Sequence, residues 1–338
     1  MSDASAQGPP PSGQGSLPSE QGSLRLRASA PAKINLGLFV GEVRAQDGRH
    51  ELASVMQSIS LADTLTLAWA VPARGTGTGT GAGDEVLCPG VPGEPEQNLA
   101  AAALRLFREA TGWDAPALRL TIDKRIPVAA GLGGGSADAA AALRLAARAS
   151  GLGSEQLLLE LGARLGADVP AQVAPGRWLA RGAGERLREL PAPSHPFGVL
   201  VLPVAAELST AAVYARADEL GVERTTRELK DLEQELAVAF ELSAAVPDAR
   251  ELLRNDLQAA AISLCPQIEL ALGQALEAGA DVALVSGSGP TVVGLFLRAN
   301  GPGRAERAAA GLAGERESAG EPAPVWAVPV DAGFAAPE

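Results

Sequence analysis

Alternating apolar and polar residues at the start of the chain predict two β-strands. Leu24–Ala28 alternates with a period of two residues, and Asn35–Val40 is a short, mostly apolar run that ends before Gly41. The segment Pro31-Ala32-Lys33 separates the two predicted strands. Lys33 is therefore expected beside a strand near the beginning of the fold.

Three further runs also have the pattern of strands. Thr64–Ala70 and Glu85–Cys88 flank a glycine-rich tract at residues 75–83. Glycine-rich stretches serve as flexible connections, so this region is predicted to be a hairpin with a long, mobile tip. Leu118–Asp123 alternates as well, and this predicted strand leads directly into a glycine loop.

Apolar residues at helical spacing predict a chain of mixed α and β structure. Asn98 can cap a helix over Leu99–Thr111 that ends at Gly112, and Asp168-Val169-Pro170 interrupts a later helical pattern. Helices on one face of a sheet in the second half predict an α+β lobe. Further helices are predicted from after Ser136 to about Gly151 and over Ser154–Leu165, Thr210–Leu220, Thr225–Phe240 and Ala249–Leu264, and further strands over Phe197–Pro203 and Leu284–Leu297.

The charge balance excludes some classes of partner. The chain carries a formal net charge of -12, so no extended basic face is available for a nucleic-acid backbone or an anionic membrane. The longest uncharged apolar stretch, Val282–Leu297, is interrupted by glycine and proline, and no basic start followed by an apolar core is present. A cytoplasmic protein with small-molecule partners is expected.

Two features of the composition bound the fold. Residues 1–22 are almost all Gly, Pro, Ser and Gln, which bury too little apolar surface to offset the entropy of ordering, so a disordered leader is predicted. Cys88 and Cys265 lie far apart, without a partner at metal-ligand spacing. Buried or incidental thiols are expected there, and not a disulfide or a zinc site.

The glycine loop that follows Leu118–Asp123 is the strongest chemical signal. Residues 127–143 read PVAAGLGGGSADAAAAL, with four glycines in residues 131–135 directly before a predicted helix. Glycine lets the backbone approach a ligand closely, and the helix N-terminus offers free N–H groups and a positive dipole end to an anion. The loop lacks the Walker lysine and fits the Rossmann fingerprint poorly. A phosphate-binding loop is predicted, with a tight turn for helix packing as the alternative.

Phosphoryl transfer from ATP needs a cation for the developing charge and often a carboxylate that accepts the acceptor's proton. Lys33 is the candidate cation, because only three of the 28 basic residues are lysines and Lys33 lies in the otherwise uncharged segment Ala28–Val40. A compact ammonium can approach a hydroxyl where a planar guanidinium does not fit. Asp168 is the candidate carboxylate. A solvated surface charge at Lys33 and a turn or capping role for Asp168 are the alternatives.

Three separated segments resemble the motifs of the GHMP kinase superfamily. They read PAKINLGL from Pro31, PVAAGLGGGSADAA from Pro127 and VSGSGPTVVGLF from Val285. Within the superfamily, residues 24 to about 300 resemble the 4-diphosphocytidyl-2-C-methyl-D-erythritol kinases. This narrower resemblance rests on PAKINL and on four other segments, DGRHEL from Asp47, GADVP from Gly166, LSTAAVY from Leu208 and RNDLQAAA from Arg254.

The resemblance implies a fold and a reaction. The fold is α+β, of the two-lobed GHMP kinase type. Its N-terminal ATP-binding lobe covers residues 23–185 and its C-terminal lobe covers residues 186–335. The active site lies in the cleft between the two lobes. The reaction is phosphorylation of the 2-hydroxyl of 4-diphosphocytidyl-2-C-methyl-D-erythritol in the non-mevalonate route to isoprenoid precursors. ATP and Mg²⁺ are the implied cofactors.

The resemblance also assigns roles to single residues. Lys33 and Asp168 correspond to the catalytic pair, with Asp168 as the base. Arg49 stands where the family usually has an aromatic residue, although a guanidinium can also stack on a cytosine. The turn at 287–289 is expected to support the phosphate loop. The implied substrate contacts are Asn35, His50, Thr210 and Tyr214. The implied nucleotide contacts are Asn98, Lys124, Pro127, Val128, Ala129, Ala130, Gly131, Leu132, Gly133, Gly134, Gly135, Ser136 and Ala137, with Ser136 also the candidate Mg²⁺ ligand or a helix cap.

Two other functions are open at this point. A GHMP kinase for another alcohol, such as homoserine or mevalonate, would have a similar glycine loop, but the segments DGRHEL and RNDLQAAA argue against it. A non-catalytic nucleotide-binding relative would keep the fold as a regulator or scaffold. The presence of both Lys33 and Asp168 argues against that second function.

Overall fold

Two β-sheets and the helices packed against them form the part of the chain that the structure describes. This computed structural model describes residues 24–70, 83–91, 98–242, 246 and 250–338. The predicted leader at 1–22 and residues 75–82 of the predicted mobile tip lie outside these ranges. The mixture of helices and sheets confirms the predicted α+β class. No helix of the described residues has the length and apolar character needed to cross a membrane.

The first sheet is built on two long antiparallel strands, β1 (Arg25–Val43) and β2 (His50–Trp69). The prediction of two strands separated by Pro31-Ala32-Lys33 is wrong, because β1 runs through this segment. A register shift between Pro31 and Ala32 accommodates a residue that has no N–H to donate to the ladder. Lys33 therefore lies within β1, and its backbone N–H donates to the carbonyl oxygen of Leu132 at 3.0 Å.

The predicted hairpin between the strands at Thr64–Ala70 and Glu85–Cys88 is wrong, because these strands are not neighbours in the sheet. The next strand along the chain, β3 (Glu85–Leu87), pairs in parallel with β4 (Leu118–Asp123), and β4 lies between β3 and β2. A parallel pair needs a crossover, which the helix α1 (Leu99–Thr111) provides. The sheet continues on the other side of β2 with two strands that the sequence patterns did not predict, β5 (Arg177–Gly182) and β6 (Arg186–Leu190).

Helices pack against this sheet. Asn98 caps α1, as predicted, because its Oδ1 accepts the N–H of Ala100 at 2.9 Å, and Gly112 ends the helix in the left-handed conformation. The helix after the glycine loop begins three residues earlier than predicted and buries a run of alanines, whose small side chains permit close packing on β1 and α1. The helices that follow α1 are α2 (Gly134–Ser150), α3 (Glu155–Leu165) and α4 (Val169–Val173).

The second sheet is antiparallel, with the strand order β10-β7-β9-β8. The predicted strand over Leu284–Leu297 is two strands joined by a turn. Its strands are β7 (Gly198–Leu202), β8 (Val282–Val285), β9 (Val292–Phe296) and β10 (Val325–Ala327). The helices of this half of the chain are α5 (Thr210–Leu220), α6 (Thr226–Leu242), α7 (Gln258–Leu264), α8 (Gln267–Glu277) and α9 (Gly301–Ser318). Of these, α6 packs against strands of the first sheet.

The predicted helix over Ala249–Leu264 is also wrong in its first half. A single 3-10 turn at Arg250–Leu252 is followed by irregular backbone up to α7. This backbone pairs with β1, because the N–H of Leu38 donates to the carbonyl oxygen of Arg254 at 2.9 Å and the N–H of Asp256 donates to the carbonyl oxygen of Leu38 at 2.9 Å. Tertiary pairing with β1 thus replaces the local helical hydrogen bonds.

The two sheets define two lobes. Because β6 pairs with β5 in the first sheet, we place the boundary between the lobes after Leu190 and not at residue 185. The chain returns to the first sheet after β10, where the N–H of Val330 donates to Ser58 at 3.0 Å. The lobes are therefore joined both by the connection to β7 and by the C-terminal residues.

Candidate active site

Two cavities meet at the glycine loop. One, of about 550 Å³, is lined by Asn98, Lys124 and residues 127–136. The other, of about 820 Å³, is lined by Lys33 and Asp168 and by the predicted substrate contacts Asn35, His50, Thr210 and Tyr214. The loop residues Gly131, Gly133 and Ser136 line both cavities. The structure thus brings the predicted nucleotide and substrate residues to two sides of one loop, except Ala137, which is buried in the core.

The conformation of the loop explains its glycines. Gly131 and Gly133 have positive φ angles of 73° and 68°, which favour glycine. A Cβ at Gly131 would lie 2.3 Å from the carbonyl oxygen of Ser286, so any larger residue would clash with the backbone. Gly133 is the N-cap of α2 and Ser136 is the third helical residue, so the capping alternative for Ser136 is wrong. Ser136 lines both cavities.

The turn between β8 and β9 packs against this loop. Ser286 Oγ donates to the carbonyl oxygen of Gly131 at 3.1 Å. The turn is itself held by Asn255, whose Nδ2 donates to the carbonyl oxygens of Val285 at 2.8 Å and Gly287 at 2.7 Å. Asn255 belongs to the segment RNDLQAAA but was not predicted as a site residue. Through these two hydrogen bonds, the segment that contains Asn255 stabilises the turn between β8 and β9.

Lys33 and Asp168 form a pair at the wall of the larger cavity. Lys33 Nζ lies 3.4 Å from Asp168 Oδ2, with 9% of the Lys33 side chain and 37% of the Asp168 side chain exposed. Burial of Lys33 contradicts the surface-charge alternative, and Asp168 precedes α4 without making a side-chain cap hydrogen bond. A carboxylate open to a cavity beside a buried ammonium can accept a proton while the ammonium stabilises an oxyanion.

A chain of hydrogen bonds fixes the amide of Asn35. Lys33 Nζ donates to Asn35 Oδ1 at 2.9 Å, and Asn35 Nδ2 donates to Ser54 Oγ at 2.7 Å. Ser54 Oγ donates in turn to the carbonyl oxygen of Gly37 at 2.7 Å. Ser54 lines the larger cavity and was not predicted from the sequence. The chain leaves the amide oxygen of Asn35 facing the ammonium of Lys33.

Lys124 lies between two buried carboxylates that the sequence analysis missed, Asp63 and Asp138. Asp63 Oδ1 accepts the backbone N–H groups of Arg125 at 2.6 Å and Ile126 at 2.8 Å, and Oδ2 accepts from Lys124. Asp138 accepts from Lys124 at 2.8 Å, but its Oδ1 has no partner among the described residues. Burial raises the pKa of Asp138 to about 7, although Lys124 opposes the shift. The two aspartates are therefore unequal partners of one lysine.

This difference predicts unequal effects of matched substitutions. We expect Asp63→Asn to lower the free energy of unfolding by about 3 kcal/mol, because Asp63 is the fully satisfied partner and an amide N–H would face the ammonium of Lys124. Asp138→Asn should cost less than about 1 kcal/mol, since it removes a poorly solvated charge. Urea unfolding at pH 7 measures both, and equal costs would contradict this account of Lys124.

Two rings and a guanidinium lie at one end of the larger cavity. The rings of His50 and Tyr214 stack, with centroids 5.1 Å apart and 28° between planes. Arg49 Nη2 donates to the carbonyl oxygen of Ala183 at 2.8 Å. Burial and, to a lesser degree, the charge of Asp168 raise the pKa of Tyr214 to about 12, so its hydroxyl keeps its proton and can donate a hydrogen bond.

Comparisons with known proteins match both halves of the chain to one family. The family model described as the GHMP kinases N terminal domain matches residues 98–176, and the GHMP kinases C terminal model matches residues 221–316. A relative from Anaeromyxobacter dehalogenans named 4-diphosphocytidyl-2-C-methyl-D-erythritol kinase is 39% identical over 296 residues, which are 86% of this chain and 85% of the relative. The match to the N-terminal family model, over residues 98–176, includes the glycine loop at 131–136.

Two solved structures match the fold of this chain equally well but have the names of different kinases. A crystal structure of 4-(cytidine 5'-diphospho)-2C-methyl-D-erythritol kinase matches with a TM-score of 0.66 at 31% identity, over 90% of this chain and 98% of that one. A homoserine kinase from Cytophaga hutchinsonii has the same TM-score of 0.66, but at 16% identity, over 96% and 99% of the two chains. The likeness to the homoserine kinase shows the fold alone, and sequence similarity distinguishes the two.

Proposed function

This chain belongs to the GHMP kinase family, and we propose that it transfers the γ-phosphoryl group of ATP to the 2-hydroxyl of 4-diphosphocytidyl-2-C-methyl-D-erythritol. The observation that carries the proposal is the meeting of two cavities at one glycine loop, with Lys33 and Asp168 at the wall of the larger cavity. The product is an intermediate of the isoprenoid precursor route. The similarity to named kinases of this substrate supports the choice of acceptor over homoserine and mevalonate.

In the proposed reaction, the smaller cavity holds ATP and the larger cavity holds the acceptor alcohol. Backbone N–H groups at residues 131–136 and the N-terminal dipole of α2 bind the phosphates. Asp168 takes the proton of the attacking hydroxyl as the new O–P bond forms, and the bond between the γ-phosphorus and ADP breaks. Lys33 stabilises the negative charge that develops on the acceptor oxygen.

Mg²⁺ fits the proposed site. This ion prefers oxygen ligands and usually binds through one or two protein groups together with substrate phosphates and water. Ser136 lines both cavities, so its hydroxyl is the protein group that would hold the ion. When bound, Mg²⁺ would neutralise charge on the β- and γ-phosphate oxygens.

Four residues are proposed to contact the acceptor. Asn35 is closest to the reacting end because it bonds to Lys33, and Thr210 lies beside the turn at 287–289, where its Oγ1 is 3.0 Å from Ser288 Oγ. His50 and Tyr214 form the aromatic end of the cavity and are suited to a nucleobase. The larger cavity, at about 820 Å³, has room for an acceptor that carries a nucleoside diphosphate.

The test is substrate-dependent release of ADP. We expect the purified protein with ATP and Mg²⁺ to release ADP when 4-diphosphocytidyl-2-C-methyl-D-erythritol is added, and to release at most a few per cent of that rate with homoserine or mevalonate. A coupled ADP assay measures all three, and mass spectrometry of the product locates the new phosphate. No ADP above background with the cytidine compound would reject the proposed acceptor.

A further inference from the structure

The helix α5 carries polar and aromatic groups along one wall of the larger cavity. Its cavity-lining residues, Thr210, Ala211, Tyr214, Ala215 and Asp218, recur at helical spacing on one face. Thr210 lies at the reacting end, because it contacts Ser288, next to Gly287, and a Cβ on Gly287 would be 3.6 Å from Lys33 Nζ. Asp218 lies eight residues further along, which is about 12 Å at the rise of an α-helix. Asp218 is therefore at the end of the cavity remote from the chemistry.

Asp218 is a carboxylate available to a ligand at that end. Its Oδ1 lies 3.1 Å from His50 Nε2, and 45% of its side chain is exposed. Among the described residues, no arginine or lysine lies within ion-pair distance of its oxygens, and the neighbouring basic group is His50. An ionised carboxylate can only accept hydrogen bonds. A group bound next to Asp218 must therefore present a donor.

His50 holds a defined orientation beside this carboxylate. Its Nδ1 lies 2.9 Å from the carbonyl oxygen of Gly41 and 3.7 Å from Glu223 Oε1, and these contacts fix the position of the ring. Its Nε2 points to Asp218, and the face of the ring stacks on Tyr214. The remote end of the cavity thus combines a flat aromatic surface with a carboxylate acceptor.

We infer that Asp218 selects cytosine over uracil in the acceptor by accepting a hydrogen bond from the exocyclic amine of the base. This inference rests on the proposed function. Cytosine has an amine donor at the position where uracil has a carbonyl oxygen, so uracil would place two acceptors against each other. A site built to bond a polar group discriminates strongly against an analogue that leaves its own groups unpaired.

The test compares cytidine and uridine forms of the diphospho-methylerythritol acceptor. We expect the wild-type protein to favour the cytidine compound by about 10- to 100-fold in kcat/KM. Asp218→Asn should reduce this ratio about 10-fold or more, because an amide can offer either its oxygen or its N–H₂ to the base. The change should appear mainly in KM, since the base binds far from the reacting atoms. Asp218→Ala should remove most of the preference.

Glu219 provides the matched control. It is the next residue of α5, its carboxylate pairs with Arg216 at 2.7 Å, and it does not line the larger cavity. Glu219→Gln should keep the wild-type ratio. If Asp218→Asn and Asp218→Ala also keep the wild-type ratio, or lose kcat equally on both compounds, Asp218 is not the selecting residue, although the proposed function stands. If the wild-type protein turns over neither compound, the proposed function itself fails.

Discussion

Asp168→Asn is expected to lower kcat by about 10³-fold while the affinity for ATP stays within about threefold of the wild type. An amide of the same shape cannot take the proton of the acceptor hydroxyl, so the substitution removes the chemistry and keeps the packing. The proposed nucleotide contacts line the smaller cavity, and Asp168 does not line that cavity. The effect should therefore appear in turnover and not in nucleotide binding.

Two measurements separate these effects. Steady-state ADP release gives kcat, and calorimetric titration with a non-hydrolysable ATP analogue gives the affinity for the nucleotide. Asp231→Asn, on the exposed surface of α6, is the control, because it makes the same chemical change outside both cavities. Retained turnover together with a loss of nucleotide affinity would show that Asp168 supports the loop and does not act as the base.

Local signals in the sequence predicted the elements that local interactions stabilise. The bounds of α5 were predicted correctly over Thr210–Leu220, and the cap at Asn98 and the end of α1 at Gly112 were also correct. Each depends on contacts within a few residues. The continuity of β1 through Pro31 could not be read in this way, because its ladder partners lie about 30 residues away on β2.

The same distinction applies to the site. Lys33 was recognisable as a rare lysine in an uncharged segment, and Asp168 through a family resemblance. Asp63 and Asn255 are ordinary polar residues in the sequence, and their importance comes from partners far along the chain. Asp63 meets Lys124 across 61 positions, and Asn255 meets Gly287 across 32. Only the fold brings these pairs together.

The glycines of the site have a consequence for Lys33. Because Gly133 has no side chain, the stem of Lys33 passes close to the loop, and a Cβ at Gly133 would lie only 3.0 Å from Lys33 Cγ. Gly287 is similarly close to the ammonium, with a Cβ position 3.6 Å from Nζ. The loop and the turn therefore enclose a long, narrow side chain. Interiors packed this closely have no room for a broader group without movement of their walls.

Lys33→Arg is consequently expected to lower kcat by at least about 10²-fold although the charge is kept. The planar guanidinium is wider than the ammonium and must either displace the glycine loop or leave its position between Asn35 and Asp168, which lie 2.9 Å and 3.4 Å from Lys33 Nζ. Lys230→Arg on α6 is the control, because this lysine is exposed and should accept the change without effect. ADP release measures kcat, and thermal unfolding checks that both variants are folded. A folded Lys33→Arg protein with near wild-type kcat would mean that charge alone, and not the compact shape of the ammonium, is what the reaction requires.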